Sequence, residues 1–223
     1  MVRNLKLYYP EKDLVFLTKD DFKNVNKLCN KIEKNDLIFH LAGVNIISTD
    51  EDLLDINYKI NFNLYLALKK VEFTGILFFS SSLKEKTNTI YGKSKKEGRK
   101  IFEKLSGELN FTFNCLLIPN VFGPFCKPNY NSFVATFSYN LINKKPVKII
   151  KDDKINLIYI DDLVDALLKI IIKPKIKIDL EKSINVLKVS EVLDKLIFFL
   201  KIYVNKNEFP KLENEFDIKL FNS

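Results

Sequence analysis

Histidine and cysteine are scarce in this sequence, and their scarcity argues against whole classes of site. Among 223 residues, His40 is the only histidine. A zinc centre of the usual Cys/His kind needs several such ligands, and a Ser-His triad needs a histidine base beside its serine. Both kinds of site are therefore almost excluded, and no metal is predicted. The three cysteines are odd in number and widely scattered, which indicates reduced thiols rather than a disulfide framework.

Long hydrophobic runs are also lacking. No stretch approaches the roughly 20 apolar residues of a membrane span, and residues 1–13 are too polar for a secretion signal. The hydrophobic content of 47% is nevertheless ample for a sizeable core. The sequence therefore predicts one large α/β domain, or a domain with a small appendage, in the cytoplasm and with no membrane partner.

The charge balance is basic, with 36 lysines and arginines, 28 aspartates and glutamates, and a net charge of +8. Such a charge could attract nucleic acid or a phosphorylated ligand. The lysines, however, are spread along the chain and form no compact stripe of the kind that nucleic-acid binders show. We interpret them as a solvated surface and predict no nucleic-acid partner; nucleic-acid binding would instead show a steep salt dependence.

Strand-like runs of Val, Ile, Leu and Phe alternate with helical patterns in the first half of the chain. Such alternation is typical of a parallel sheet covered on both faces. The predicted strands are Leu14–Thr18, Leu37–Leu41, Ile76–Ser80 and Phe113–Leu117. The predicted helices between them are Asp21–Glu33, Leu53–Lys70 and Tyr91–Leu105.

The second half begins with a Pro/Asn/Gly-rich loop, Pro119–Asn131. Asp161 resembles a helix cap, with Asp162 and Asp165 close behind it, before an apolar stretch that ends near Ile172. The other predicted elements here are a helix at Ser132–Asn143, short strands at Val147–Ile150 and Ile155–Ile160, and a last helix at Val189–Lys201 before a polar tail.

Tyr91 and Lys95 lie four residues apart at the start of a predicted helix, so their side chains share one face. The run Ser80–Ser82 ends the preceding strand, and its hydroxyls could meet the phenol and the ammonium at one carbonyl group. A nearby cation lowers the pKa of a phenol from its ordinary value of about 10, while a serine holds the reacting oxygen. Because such a Tyr/Lys pair also occurs on ordinary solvated helices, it predicts proton transfer only together with other features.

These residues resemble the extended short-chain dehydrogenase/reductase family, which contains sugar-nucleotide epimerases, dehydratases and reductases. The segment Phe39–Gly43 resembles the family's strand-ending motif beside the cofactor, and Asn57 matches a helix asparagine that braces the sheet. Ser82, Tyr91 and Lys95 match the family's catalytic residues. The match implies that Ser82 forms a hydrogen bond to the reacting oxygen, that Tyr91 donates the proton, and that Lys95 lowers the pKa of Tyr91 and binds the ribose. The resemblance implies a Rossmann-like, doubly wound parallel sheet with a small C-terminal substrate-binding portion, divided into residues 1–118 and 119–223.

The resemblance also implies a nicotinamide cofactor, NADP or NAD. Thr18 and Lys19 end the second family strand, where a basic side chain accepts a 2′-phosphate, so NADPH is favoured. Asp20 and Asp21 follow at once and are also suited to capping the next helix. The implied cofactor-binding residues are Lys19, Leu41, Ala42, Gly43, Tyr91, Lys95, Pro119 and Val121.

A narrower resemblance connects the chain with capsular polysaccharide enzymes that reduce a UDP-linked 4-keto-6-deoxy N-acetyl sugar. It rests on Asn120–Gly123, on the segment from Cys126 to Phe137 and on the short gap between Ser82 and Tyr91. It implies a UDP-sugar substrate and a homo-oligomer. The implied substrate-binding residues are Ser82, Asn120, Asn129, Asn131 and Ser132, although an Asn/Pro-rich loop also forms ordinary turns.

The chain departs from the family in three places. The Gly-rich phosphate loop and the strand before it are not found, because Val2 occupies the place of the last glycine and Arg3–Leu5 resembles the following helical turn. Leu117 stands where relatives often place an arginine. Capsular reductases continue beyond Ser223 into a cupin domain. These departures predict a fragment of a longer enzyme, and they leave open a non-catalytic homologue that binds a nucleotide sugar or a partner protein.

Overall fold

The computed structural model describes residues 14–45, 49–173 and 178–223. They fall into two compact units, and the chain passes from the first to the second between Ile118 and Pro119. Residues 1–13, on which the predicted loss of the first strand and of the phosphate loop depends, lie outside the described residues. Each unit is described by itself.

The first unit contains a parallel sheet of three strands in the order β1-β2-β3. His40 lies opposite Phe79 across the first pair, and Ser82 lies opposite Ile118 across the second. Because all three strands run the same way, their carboxyl ends lie at one edge of the sheet. The strands are β1 (Leu37–His40), β2 (Ile76–Ser82) and β3 (Thr112–Ile118).

Three helices accompany this sheet: α1 (Val25–Cys29), α2 (Asp50–Lys70) and α3 (Ile90–Leu109). Thr49 and Thr89 begin the two long helices by accepting hydrogen bonds from backbone N–H groups of the first turns. The helices bury aliphatic and aromatic side chains against the strands, which explains why the strands are apolar on both faces. Residues of this core include Leu64, Leu68, Phe79, Phe102 and Leu105.

Two predictions for the first unit are wrong. Leu14–Thr18 is not a strand: its backbone is irregular and ends in a turn, and Val15 is 63% exposed. The helix predicted over Asp21–Glu33 is reduced to a 3₁₀ turn and α1. Asn24 interrupts it, because its backbone is extended and its side chain caps α1.

The second unit contains a mixed sheet in the order β4-β5-β6, with β4 parallel and β6 antiparallel to β5. Its core joins the sheet to the helices through residues that include Phe122, Phe137, Leu157, Leu196 and Leu220. In chain order the elements are β4 (Asn120–Phe122), α4 (Phe133–Ile142), β5 (Lys154–Tyr159), α5 (Ile160–Ile172), β6 (Ile184–Lys188), α6 (Val189–Phe199) and α7 (Glu215–Phe221).

The short elements of this unit differ from the predictions. Val147–Ile150 is a loop in which Val147 packs on the core while Ile150 is 94% exposed. Asp161 lies within the first turn of α5 and does not cap it; Tyr159 occupies the capping position. Strand β6 and helix α7 were not predicted, and α6 continues into a π-helical turn, Leu200–Asn205.

The helices and the parallel sheet confirm the predicted α/β class. Among the described helices, none combines the length and the apolar character needed to cross a bilayer. The three cysteines are free thiols, and burial raises the pKa of the Cys115 thiol to about 12. That thiol is therefore neutral at physiological pH and is a poor nucleophile.

Candidate active site

Tyr91 and Lys95 occupy the first two turns of α3, beside the carboxyl end of β2. The Lys95 Nζ donates a hydrogen bond to the Ser80 carbonyl oxygen at 3.0 Å. The same Nζ lies 5.9 Å from the centroid of the Tyr91 ring. The structure therefore brings together the phenol and the ammonium, as their spacing predicted, and it places the ammonium against the serine run.

Lys95 is held in a largely dehydrated position. Its residue is only 6% exposed, and its Nζ lies 5.3 Å from the Phe79 ring centroid. Burial lowers the pKa of Lys95 from its ordinary value of 10.5 to about 8. Lys95 thus remains mostly protonated at neutral pH, but its charge is maintained at a free-energy cost.

The sequence predicted a lowered pKa for Tyr91, and this prediction is wrong for the protein without ligands. Burial raises the pKa of the Tyr91 phenol above its ordinary value of 10.0. The Lys95 ammonium is directed to the strand carbonyl, and dehydration of the phenol outweighs its attraction. Tyr91 is therefore a protonated phenol at neutral pH, which suits a group that donates a proton.

Ser82 connects β2 to a 3₁₀ turn, Leu83–Lys86, and caps it. Its Oγ accepts the Lys84 backbone N–H at 3.2 Å, so its own O–H can still donate to another group. The Lys84 Nζ lies 5.9 Å from the Tyr91 ring centroid, on a side chain that the sequence did not single out. Nothing in the local sequence indicates that the turn brings this second cation to the phenol.

The turn lies directly against the start of α3. A Cβ built at Gly92 would collide with the Lys84 carbonyl oxygen. Only glycine allows these two backbones to approach so closely. This contact holds the turn that follows Ser82 against the first turn of the helix that bears Tyr91.

The loop after β1 contacts the same helix at its glycine. A Cβ built at Gly43 would lie 3.1 Å from the Lys95 Nζ and 3.3 Å from the Asn57 Oδ1. Leu41 and Ala42, which precede it, are half-buried, whereas Gly43 itself is exposed. Because residue 43 has no side chain, the space beside the Lys95 ammonium stays open. The loop thus forms a cradle at this ammonium, bordered by its own backbone.

Asn57 fixes this loop rather than the sheet itself. Its Oδ1 accepts the Val44 N–H and its Nδ2 donates to the Val44 carbonyl, both at 2.8 Å. The same Nδ2 donates to the Ser94 Oγ at 3.1 Å, and Ser94 donates to the Tyr91 carbonyl at 2.9 Å. One asparagine therefore couples the loop to the helical turn that bears the phenol.

His40 belongs to the core and takes no part in the site. Its ring is 2% exposed, packs against Phe22, Phe79 and Phe102, and donates from Nε2 to the Asn61 Oδ1 at 2.8 Å. Burial lowers the pKa of His40 from its ordinary value of 6.5 to about 4. The histidine is therefore neutral in the folded protein at physiological pH.

This buried histidine predicts acid sensitivity. Between pH 6.5 and 4 the unfolded chain binds a proton at His40 that the folded chain does not, so stability falls as the pH is lowered. The loss amounts to about 3 kcal/mol across this window. Urea unfolding at several pH values should show that His40→Phe flattens this part of the profile; an unchanged slope in the variant would contradict the assignment.

Lys19 and its neighbours occupy the predicted 2′-phosphate position. Lys19 is exposed in the turn after residues 14–18. Asp20 pairs with Lys23 at 2.7 Å. Asp21 pairs with Lys31 at 2.9 Å and accepts the Thr18 N–H at 2.7 Å, and these hydrogen bonds lower its pKa to about 2. Both carboxylates are engaged locally, and Lys19 is exposed beside them.

The second unit contains the remaining predicted residues, beginning directly after β3. Pro119 is buried, and Val121 in β4 packs against Ile160. Asn120 is exposed, and its Nδ2 donates to the Asn156 carbonyl at 3.3 Å. Pro119 and Val121 thus have clear packing roles, while Asn120 presents polar atoms at the surface of its unit.

The Asn-rich loop before α4 makes turns, as the structural alternative predicted. Asn129 has a left-handed backbone with φ of 55°, and its N–H donates to the Thr136 Oγ1 at 2.9 Å. Ser132 caps α4, because its Oγ accepts the Ala135 N–H at 3.3 Å. Asn129 and Asn131 are exposed, whereas Ser132 is 7% exposed.

Comparison with known proteins extends the likeness over most of the chain. The model of the NAD dependent epimerase/dehydratase family matches residues 3–186. A curated reductase from Pseudomonas aeruginosa, UDP-2-acetamido-2,6-beta-L-arabino-hexul-4-ose reductase, is 33% identical over 172 residues, which cover 75% of this chain and 46% of that enzyme. The chain thus spans about half the length of this relative.

Solved structures show the same architecture. The crystal structure of the capsular polysaccharide assembling protein CapF from Staphylococcus aureus has a TM-score of 0.73 at 25% identity, covering 99% of this chain and 61% of CapF. RMD from Pseudomonas aeruginosa, complexed with NADPH, has a TM-score of 0.76 at 15% identity, covering 99% of this chain and 92% of RMD. The predicted Rossmann-like α/β fold and the predicted similarity to capsular sugar reductases are confirmed.

The family has a nicotinamide dinucleotide as its cofactor, which agrees with the predicted NAD(P) class. The matched residues include both the loop after β1 and the helix that bears Tyr91 and Lys95. With the fold and the extent of the match, these observations show that the chain belongs to the NAD dependent epimerase/dehydratase family.

Proposed function

We propose that this protein is an NAD(P)-dependent reductase of a UDP-linked 4-keto-6-deoxy N-acetyl sugar in surface polysaccharide biosynthesis. The observation that carries the proposal is the half-buried, protonated Tyr91, whose ring centroid lies 5.9 Å from the ammonium nitrogens of both Lys95 and Lys84. The 33% identity to a UDP-sugar reductase supports reduction over epimerisation.

Residues of the first unit would contact two parts of the cofactor, the nicotinamide ribose and the 2′-phosphate on the adenosine ribose. Gly43 leaves open the space beside the Lys95 ammonium, where a ribose hydroxyl would find a cation and exposed backbone. Leu41 and Ala42 would form the wall of this cradle, and Lys19 would accept the 2′-phosphate of NADPH. Pro119 and Val121 are the proposed cofactor-binding residues of the second unit.

The cofactor would supply the hydride that reduces the ketone. The chain supplies orientation and the proton: the Tyr91 phenol donates its hydrogen to the ketone oxygen, and the Ser82 O–H donates a hydrogen bond to the same oxygen. Lys95 stabilises the phenolate left after proton transfer. Because burial keeps the phenol protonated, the chain is in the form that proton donation to a ketone requires.

The second unit would hold the nucleotide sugar. Asn120, Asn129 and Asn131 are exposed and carry amides that can donate to phosphate and ribose oxygens. Ser132 would donate its hydroxyl hydrogen while its oxygen continues to cap α4. The predicted homo-oligomer and a further cupin domain stay predictions.

Spectroscopic assay of the purified chain tests the proposal. We expect stoichiometric loss of NADPH absorbance on addition of the UDP-linked 4-keto sugar, with Lys19→Ala raising the KM for NADPH about tenfold and leaving that for NADH within twofold, as loss of a phosphate contact implies. Lys23→Ala, an exposed lysine paired with Asp20, is the control. Product formation without net NADPH consumption would indicate an epimerase, and sugar binding without turnover would indicate a non-catalytic homologue.

A further inference from the structure

We propose that Glu85 and Arg99 are positioning residues, which hold the turn Leu83–Lys86, and Ser82 with it, against the helix that bears Tyr91 and Lys95. The inference rests on the proposed function for its kinetic consequence. Its structural part stands on contacts within the first unit.

Glu85 lies at the centre of this arrangement. Its Oε1 accepts a hydrogen bond from the Ser81 Oγ, and its Oε2 accepts one from the Arg99 Nε at 2.9 Å. The Glu85 side chain is 6% exposed and that of Arg99 is 26% exposed. A nearly dehydrated carboxylate is therefore bound by one hydroxyl and one guanidinium.

These contacts join the two elements that carry the reacting groups. Ser81 is the residue before Ser82 on β2, and Arg99 follows Lys95 by one turn of α3. Glu85 lies in the turn between them, so its carboxylate fixes the turn to the strand on one side and to the helix on the other. The close packing of Gly92 on the Lys84 carbonyl is a second anchor at the amino end of α3.

Arg99 has a second, more exposed partner. Its Nη1 donates to the Glu103 Oε1 at 2.6 Å, and the Glu103 side chain is 46% exposed. Glu103 lies on the same helix as Arg99, so this pair does not cross to the turn. A substitution of Glu103 therefore removes one ion pair of Arg99 and leaves the contact between Arg99 and the turn intact, which makes it a matched control.

Loss of Arg99 would leave the buried Glu85 carboxylate without its hydrogen-bonded cation, which is unfavourable. Lys84 and Lys86 flank Glu85 and are exposed, so the turn lies at the surface. Outward movement of the turn would rehydrate the carboxylate and would carry Ser82 away from Tyr91. A misplacement of about 1 Å is enough to lower a rate about 100-fold.

Kinetics and limited trypsin digestion of the whole chain test this inference. In Arg99→Met we expect kcat to fall about 10- to 100-fold, the KM for NADPH to change less than twofold, and cleavage after Lys84 and Lys86 to accelerate about tenfold. The double variant Glu85→Gln/Arg99→Met should recover only part of these losses in both measurements, because it removes the unpaired buried charge but does not restore the connection to the helix. A neutral amide can keep the hydrogen bond from Ser81 and needs no cation.

Glu103→Gln should leave kcat and trypsin resistance unchanged. The inference is overturned if Arg99→Met keeps both kcat and resistance, or if the double variant shows no recovery in either. Should Arg99→Met fail to fold, Arg99→Lys keeps a cation without the planar fork and should lose about 3- to 10-fold in kcat; an unchanged rate would equally overturn it. If the original protein shows no turnover, the proposed function is contradicted. The positioning role of Arg99 is still tested in that case, because trypsin digestion measures directly whether Arg99 holds the turn.

Discussion

Tyr91→Phe is expected to lower kcat for ketone reduction by about 100- to 10,000-fold, the range over which a positioned proton donor acts. The substitution removes one oxygen and retains the ring, whose centroid lies 5.9 Å from the Nζ atoms of both Lys84 and Lys95. The KM for NADPH should remain within about threefold, because the cradle at Gly43 and the Lys95 ammonium are retained. Steady-state rates and fluorescence titration with NADPH measure the two quantities separately.

Tyr58→Phe is the matched control, because Tyr58 is a 52% exposed phenol on α2. It should leave kcat and KM unchanged. A Tyr91→Phe protein that retains more than about a third of the original kcat would show that the phenol is not the proton donor. The raised pKa of Tyr91 adds a second expectation, since kcat should not decline between pH 6 and 8 through ionisation of this phenol.

Lys95→Met is expected to inactivate the protein and at the same time to stabilise it. The pKa of Lys95 is about 8 in the folded chain and 10.5 in its ordinary state, so burial of the charge opposes folding by about 3 kcal/mol at pH 7. Loss of the hydrogen bond to the Ser80 carbonyl offsets about 1 kcal/mol of the gain. We therefore expect urea unfolding at pH 7 to show a gain of about 1–3 kcal/mol.

The pH dependence makes this expectation specific. From pH 8 to 10.5 the unfolded chain retains a proton at residue 95 that the folded chain has lost, so the stability of the original protein rises across this window. Lys95→Met lacks that rise, and the advantage of the variant should shrink as the pH increases. Lys93→Met, at an exposed position on the same helix, should show neither effect. Destabilisation by Lys95→Met that is independent of pH would contradict the assignment.

The sequence predicted those parts of the fold that depend on local pattern. Three buried apolar strands and the two long helices of the first unit were found within a few residues of their observed limits, because apolar periodicity is a local property of the sequence. The meeting of Tyr91 and Lys95 followed from helical periodicity alone. Such features are local, so one chain is enough to predict them.

Features that depend on tertiary context were missed. Leu14–Thr18 has the composition of a strand but is irregular in the structure, and composition alone cannot show which segments form strands in the folded chain. The Tyr91 pKa was predicted in the wrong direction, because dehydration depends on the elements packed around the ring. Lys84 and Glu85 reach the site through a turn whose path no local motif specifies, and the contact of Glu85 with Arg99 on α3 depends on that path.

The contact between Gly92 and the Lys84 carbonyl has a consequence for the tolerance of this region to mutation. In a library containing every single substitution, position 92 should be depleted as severely as position 91, although glycine offers no functional group. Even alanine would have to push two main chains apart. Depletion at residue 92 would therefore reflect the steric requirement for glycine, whereas depletion at Tyr91 would reflect the loss of a phenol. Identical depletion scores at the two positions would have unrelated causes.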